Sequence, residues 1–297
     1  MPQPIPSPRE SGFTTRTPTP LYWARYGPSA ESGTQQLVVL HGGPGAHHDY
    51  MLPQMLHLAE RYDVVFYDQR GGGRSKSDTI EPIGWQTHVA DLAAVGREFG
   101  LDPLAIVGYS WGGLLAVLYT LESLRDQSIT APSRLVLIDP APLALRYRKA
   151  FEAEFSKRQQ SPEVQRMRAE LAESNLRETD PGAYRQRLFE VGVAGYFAHP
   201  ANARDLTPFR VTGRVLDSVW NSLGDYDLLG QLNQITCPTL VVHGRDDPIP
   251  LASSIEGAKA MNAKLVVLDD CGHVPYVEKP QQLFAAVDAF LAETDPK

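Results

Sequence analysis

Short, nearly unbroken apolar runs recur along this chain: LVVL (37–40), VVFYD (64–68), LAIVG (104–108), RLVLID (134–139), TLVVHG (239–244) and KLVVLDD (264–270). Runs of this length, without the alternation of a half-exposed strand, predict parallel strands buried on both faces. LYWARYG (21–27) reads as an earlier, more exposed strand. Between the runs, apolar residues return at helical spacing: Trp85, Val89, Leu92, Val95 and Phe99, then Leu114, Leu115, Leu118 and Leu121, and near the end Leu283, Val287 and Phe290. These spacings predict helices with one apolar face. Strand–helix alternation predicts an α/β chain built on a mostly parallel, doubly wound sheet.

The alternation stops at 140 and resumes near 230. That stretch holds no strand pattern, many charges and helical segments at 146–158, 162–175 and 183–192. It predicts a helical lid, 140–230, inserted between two parts of a core, 1–139 and 231–297, and lying over the carboxyl edge of the sheet. The proline-rich start reads as an extended arm of about residues 1–20.

Composition narrows the function. A chain of 297 residues with 42% hydrophobic and 21% charged content is that of a globular enzyme. A net charge of −7 with no basic stripe argues against a nucleic-acid partner. The densest basic stretch, 146–149, reads as a solvated helix face. No apolar run approaches the ~20 residues that span a membrane. The start lacks the apolar centre of a signal peptide, so a cytoplasmic location is expected. Cys237 and Cys271 flank two neighbouring predicted strands at opposite ends, which predicts two free thiols.

Two glycine-rich turns carry the candidate chemistry. His41-Gly42-Gly43-Pro44-Gly45 follows a buried strand and could cradle a phosphate or build an oxyanion hole. Gly108-Tyr109-Ser110-Trp111-Gly112 matches Gly-x-Ser-x-Gly between a strand and a helix. That context defines a nucleophile elbow, with the helix N-terminus favouring developing negative charge. A serine nucleophile needs a base, and the base needs an orienting acid. Asp246 and Asp247 follow the TLVVHG strand, and His273 follows the KLVVLDD strand, in the order Ser, Asp, His. The ordered trio favours the oxyanion reading of the first turn. His47-His48-Asp49 lacks a third ligand at metal spacing, and DQRGGGRS (68–75) lacks a Walker ending, so neither metal nor cofactor is expected. Arg70 and Arg74 are expected to anchor their loop through carboxylates or carbonyls, and His41 and His243 to brace their strand ends.

HGGPG (41–45), DQRGGGRS (68–75), GYSWGG (108–113) and HGRDDPIP with CGH (243–250, 271–273) together resemble the α/β-hydrolases, and within them the proline iminopeptidases. The resemblance implies Ser110 as nucleophile, His273 as general base and Asp247 as orienting acid, three residues after Gly244, with Asp246 as the alternative. It implies an oxyanion hole from the Gly43 and Trp111 amides, and lid glutamates that hold a substrate's free amine.

Glu190 is the nearest counterpart of such a glutamate, although Phe189 precedes it where the family often has tryptophan. Asp217 and Asp225 are candidates for a second acid, and Tyr109 is expected to narrow the substrate pocket. The expected activity is release of an N-terminal residue, proline by resemblance, from a small-molecule or short-peptide substrate. The alternatives are an esterase, lactonase or amidase without amine recognition, and a non-catalytic binding protein on the same scaffold. An aspartate-nucleophile dehalogenase or epoxide hydrolase is disfavoured by serine at 110. Oligomeric state is left open.

Overall fold

A computed structural model describes residues 4–29, 34–77 and 81–293. The first three residues of the expected arm and the last four of the second core part lie outside them. Eight strands form one sheet: β1 (Glu10–Phe13), β2 (Tyr22–Tyr26), β3 (Gln36–Leu40), β4 (Asp63–Tyr67), β5 (Leu104–Tyr109), β6 (Pro132–Ile138), β7 (Thr239–Gly244) and β8 (Lys264–Leu268). Their spatial order is β1-β2-β4-β3-β5-β6-β7-β8. β1 and β2 run antiparallel at one edge, and the strands from β4 to β8 are parallel.

Every apolar run becomes a strand, and successive side chains divide between two cores. Val38, Leu40, Ile106, Leu135, Leu137 and Val241 face one way. Leu37, Val39, Val107, Val136, Ile138 and Val242 face the other. Helices α1 (Trp85–Phe99) and α2 (Trp111–Ser123) cover the first face. The C-terminal helix α10 (Pro280–Leu291) covers the second, following the short α9 (Pro275–Glu278). α8 (Leu251–Ala260) joins β7 to β8. This two-sided burial explains why the central strands carry no polar alternation.

The arm departs from expectation. Residues 10–13 are not merely extended but pair with β2 as an edge strand. Glu10, Ser11 and Phe13 are exposed, so the segment carries none of the burial pattern that marks a strand.

Between β6 and β7 lie α3 (Leu145–Gln159), α4 (Pro162–Glu173), α5 (Leu176–Thr179), α6 (Pro181–Val193) and α7 (Gly213–Leu223), with 3-10 turns between and after them. α4 and α6 start on proline, and the Ser161 and Asp180 side chains cap them by accepting from Val164, Gly182 and Ala183 amides. The predicted helical segments do not include α5 or α7. α7 packs Val215 and Val219 onto the core beside α1. Among the described residues no helix is long and apolar enough to cross a membrane.

Candidate active site

The site lies at the carboxyl ends of β3, β5, β7 and β8. The turn after β5 leaves Ser110 at φ 53°, a left-handed conformation that costs a non-glycine residue energy and lifts its side chain above the sheet. Room for so tight a turn comes from its glycines. A Cβ on Gly108 would collide with the Gly112 carbonyl, and one on Gly112 with the Leu40 carbonyl of β3. The Ser110 N–H donates to the Ile138 carbonyl at 2.9 Å, tying the elbow to β6.

His273 Nε2 lies 2.9 Å from Ser110 Oγ, and its Nδ1 lies 2.7 Å from Asp247 Oδ2. Asp247 Oδ1 accepts the Ile249 N–H at 2.7 Å. Asp246 does not approach the histidine. Its side chain is exposed, and its backbone binds the Cys271 carbonyl and Arg158. Burial lowers the His273 pKa to about 4. At neutral pH the ring therefore carries one N–H, which faces Asp247 from Nδ1 and leaves Nε2 free to accept from Ser110. Burial also raises the Asp247 carboxyl, while a contact with Asp139 and the Ile249 N–H pull it down.

The first glycine turn sits directly opposite. Gly43 takes φ 58°, and the Tyr50 hydroxyl accepts the Gly42 N–H at 2.7 Å. Among the described residues neither the Gly43 nor the Trp111 N–H has an acceptor, and both residues line the cavity above Ser110. Helix α2 begins at Trp111, so its dipole adds to the positive field there.

Gln69 joins the two turns. Its Nε2 donates to the His41 carbonyl at 2.9 Å, and its Oε1 accepts Trp111 Nε1–H at 2.8 Å. The amide orientation is forced, because indole N–H can only donate and a carbonyl can only accept. The Gln69 backbone N–H also donates to His41 Nε2 at 3.0 Å. His41 is thus neutral, and burial lowers its pKa to about 4. No chemical pattern in the sequence marks Gln69; its role depends on three loops meeting.

The rest of that loop is held by charge. Arg70 forks onto Asp91, and Arg74 reaches Asp68 and Asp49. Asp68 also accepts His48 Nδ1–H and the His48 and Arg74 backbone amides. These donors outweigh its burial and hold its carboxyl below the usual range. His48 is therefore bound to Asp68 rather than grouped with His47. Cys237 and Cys271 are both free, and Asp269 and Asp270 are exposed and paired with Arg245, His199 and Lys279.

A cavity of about 320 Å³ opens over Ser110. Its walls are largely apolar and include the aromatic rings of Tyr109, Phe151, Tyr196 and Trp220. The Tyr109 hydroxyl donates to the His273 carbonyl at 2.9 Å, so it shapes the wall and steadies the histidine's loop.

The acids do not fall where the sequence placed them. Glu190 is buried but does not line the cavity; it accepts from Arg187 at 2.7 Å and Gln186 at 3.0 Å on its own helix. Asp225 is exposed and also outside it. Asp217 does line the cavity, together with Glu152 and Arg148. Arg148 donates to Glu152 at 2.9 Å and stacks over Trp220. α6 turns Glu190 inward onto its own helix, whereas α3 and α7 turn their acids toward Ser110. Spacing along one helix could not show which way each helix faces.

One further group could be imagined as a cation site: Asp139, His243 and Asp247 have ligand atoms within 4.8 Å of one another. Both His243 nitrogens are engaged, Nε2 with the Ile249 carbonyl at 3.1 Å and Nδ1 with the Ser254 hydroxyl at 2.9 Å. Asp247 is engaged by His273. The group is a hydrogen-bonded cluster behind the histidine.

Residues 37–287 match the alpha/beta hydrolase family, and the chain belongs to it. It is a hydrolase of that family with proline iminopeptidases among its relatives. The proline iminopeptidase of Heyndrickxia coagulans is 26% identical over 279 residues, covering 87% of this chain and 91% of that one. A proline iminopeptidase-related protein from Thermus thermophilus superposes with a TM-score of 0.69 at 22% identity, covering 95% of this chain and 97% of that one. An enol-lactonase from Burkholderia xenovorans superposes with a TM-score of 0.65 at 21% identity, covering 95% and 100%. Likeness at these last two identities is a likeness of fold.

Proposed function

We propose that the chain is a serine hydrolase that removes an N-terminal residue, proline or another small one, from short peptides through an acyl-enzyme. The observation that carries this is the unbroken chain from Ser110 Oγ through His273 to Asp247 at the floor of a largely apolar cavity. Ser110 attacks the scissile carbonyl while His273 Nε2 takes its proton. The carbonyl oxygen becomes an anion between the Gly43 and Trp111 amides, whose donors need no reorganisation as charge develops. His273 then returns the proton to the leaving amine, and water repeats the sequence on the acyl-enzyme.

Asp217 and Glu152 take the role first expected of Glu190. A free ammonium at the N-terminus needs a carboxylate near the scissile bond, and these two acids, although exposed to solvent, line the same cavity as the nucleophile. Among the described residues Asp217 has no ion-pair partner, so a substrate amine meets it without displacing a cation.

A second reading has a specific observation in its favour. Arg148 already neutralises Glu152, and the remaining wall is largely apolar, which suits an ester or lactone with no amine. The test compares a proline arylamide with a free amine, its N-acetyl form and a short acyl ester. The aminopeptidase reading expects only the first to turn over efficiently. Equal rates with and without the acetyl group would refute it and favour the esterase.

A further inference from the structure

Asp139 directly follows β6, and no motif marks it. It sits at φ 39°, fully buried, with its N–H donating to the Val242 carbonyl of β7 at 2.8 Å. Its Oδ1 accepts the Gly244 N–H at 2.8 Å. Its Oδ2 is buried with no hydrogen-bond donor. Yet the Asp139 and Asp247 carboxyl groups come within 4.8 Å of each other, both side chains fully buried. Two buried carboxyl groups this close do not both ionise, so one of them keeps a proton.

The surrounding donors decide which. Asp247 accepts two N–H groups, from Ile249 and His273, as an anion does. Asp139 accepts one and has an empty oxygen. Among the described residues no Lys or Arg pairs with it. His243, 3.8 Å from each carboxylate, is kept neutral by burial, which lowers its pKa to about 4. The other groups facing the pair are His273, Tyr109, Tyr196, Tyr276 and Cys271, with Arg158 and Glu278 acting on Asp247 from farther away.

We infer that Asp139 is a neutral carboxylic acid at physiological pH that donates a hydrogen bond to the Asp247 carboxylate, making it a positioning residue behind the Ser110–His273–Asp247 chain. Burial and the adjacent Asp247 charge both push its pKa well above the ordinary carboxyl range, in the same direction as the geometry. The consequence for turnover rests on the proposed role of that chain. Burial drives Asp247 to take a proton from His273, and a neutral donor opposes this without adding a second negative charge. Asp139 thereby keeps Asp247 ionised and the His273 N–H on Nδ1.

Infrared difference spectra of wild type against Asp139→Asn, recorded at neutral pH without substrate, read the proton directly. The expected result is a protonated-carboxyl C=O band in wild type that the variant loses; absence of that band overturns the inference. Kinetics then test its consequence. Asp139→Ala should lower kcat/KM by about tenfold or more and move its acid limb up by about one pH unit. Asp139→Asn, which keeps a neutral donor, should restore most of the rate and leave the limb within about 0.3 unit of wild type. A limb that moves down by about a unit in Asp139→Asn would mean that wild-type Asp139 is ionised, and would also overturn it. The spectrum needs no turnover, so it stands even if Ser110→Ala remains active and the serine-hydrolase reading fails.

Discussion

The sheet and the helical insertion above it solve opposite problems. The central strands are buried on both faces and hold Ser110, Asp247 and His273 through backbone contacts that no single side chain controls. The insertion presents charged helices to solvent, with exposed pairs such as Arg146 with Asp227 and with Glu256 of the core helix α8. None of the α3 residues is fully buried. In the proposed reaction the core fixes where bonds break, and the insertion adds part of the cavity wall around that point. Packing in the first is continuous across the sheet, whereas in the second it is confined to a small cluster around Val164, Leu171, Val191 and Ala194 and to the face of α7 on the core.

The largest effect should come from the core. Ser110→Ala should lower kcat by roughly 10⁴-fold or more while leaving the melting temperature unchanged. Comparable residual turnover would remove Ser110 as nucleophile.

Acid should also attack the core first. Burial lowers the pKa values of His41, His88, His243 and His273 to about 4, 3, 4 and 4 from the ordinary 6.5. The unfolded chain therefore binds more protons below pH 6.5, and stability falls as pH drops from there toward 4. Each histidine contributes a slope of up to about 1.4 kcal/mol per pH unit. Urea denaturation at pH 7, 6 and 5 measures it; equal stability at all three would show that these rings protonate freely. The kcat/KM acid limb should likewise lie below 6.5, because only neutral His273 accepts the serine proton.

Gly112→Ala should cost about 3 kcal/mol, lowering Tm by roughly 5–10 °C, since its Cβ has only backbone to displace. A wild-type Tm would mean that the elbow can open.

The insertion should respond in selectivity. Asp217→Asn with Glu152→Gln should lower kcat/KM for a free-amine arylamide by about 10–100-fold. An ester should be spared. Glu190→Ala should instead cost about 1 kcal/mol of stability or less, because Arg187 and Gln186 reach solvent and rehydrate, with the ratio of the two substrates unchanged. A shifted ratio in Glu190→Ala would return that residue to substrate recognition.

This contrast also explains what could be read in advance. Strands such as TLVVHG announce themselves because burial on both faces leaves a local apolar run, and the elbow because its glycines are needed within five consecutive residues. Whether Asp246 or Asp247 meets His273 depends on one backbone turn after β7. Glu190 lies on a helix that the spacing predicts and Asp217 on one that it does not, and which of the two faces the cavity depends on how α6 and α7 are rotated. The β1 strand is hidden because an exposed edge needs no apolar side chains. Asp139 looks like the ordinary end of a strand, and its unusual position depends on Asp247, more than a hundred residues later.

Gln69 gives the site a gauge. The two amides proposed to hold the oxyanion belong to loops that follow the neighbouring strands β3 and β5, and beyond the strand ends, where Gly112 packs on the Leu40 carbonyl, one side chain bridges the gap between them. A single rigid amide group, pinned at one end to His41 and at the other to Trp111, sets that gap to its own length. Thermal breathing that separates the loops must break one of these bonds. The pocket for a short-lived charge is thereby kept at working width while it stands empty.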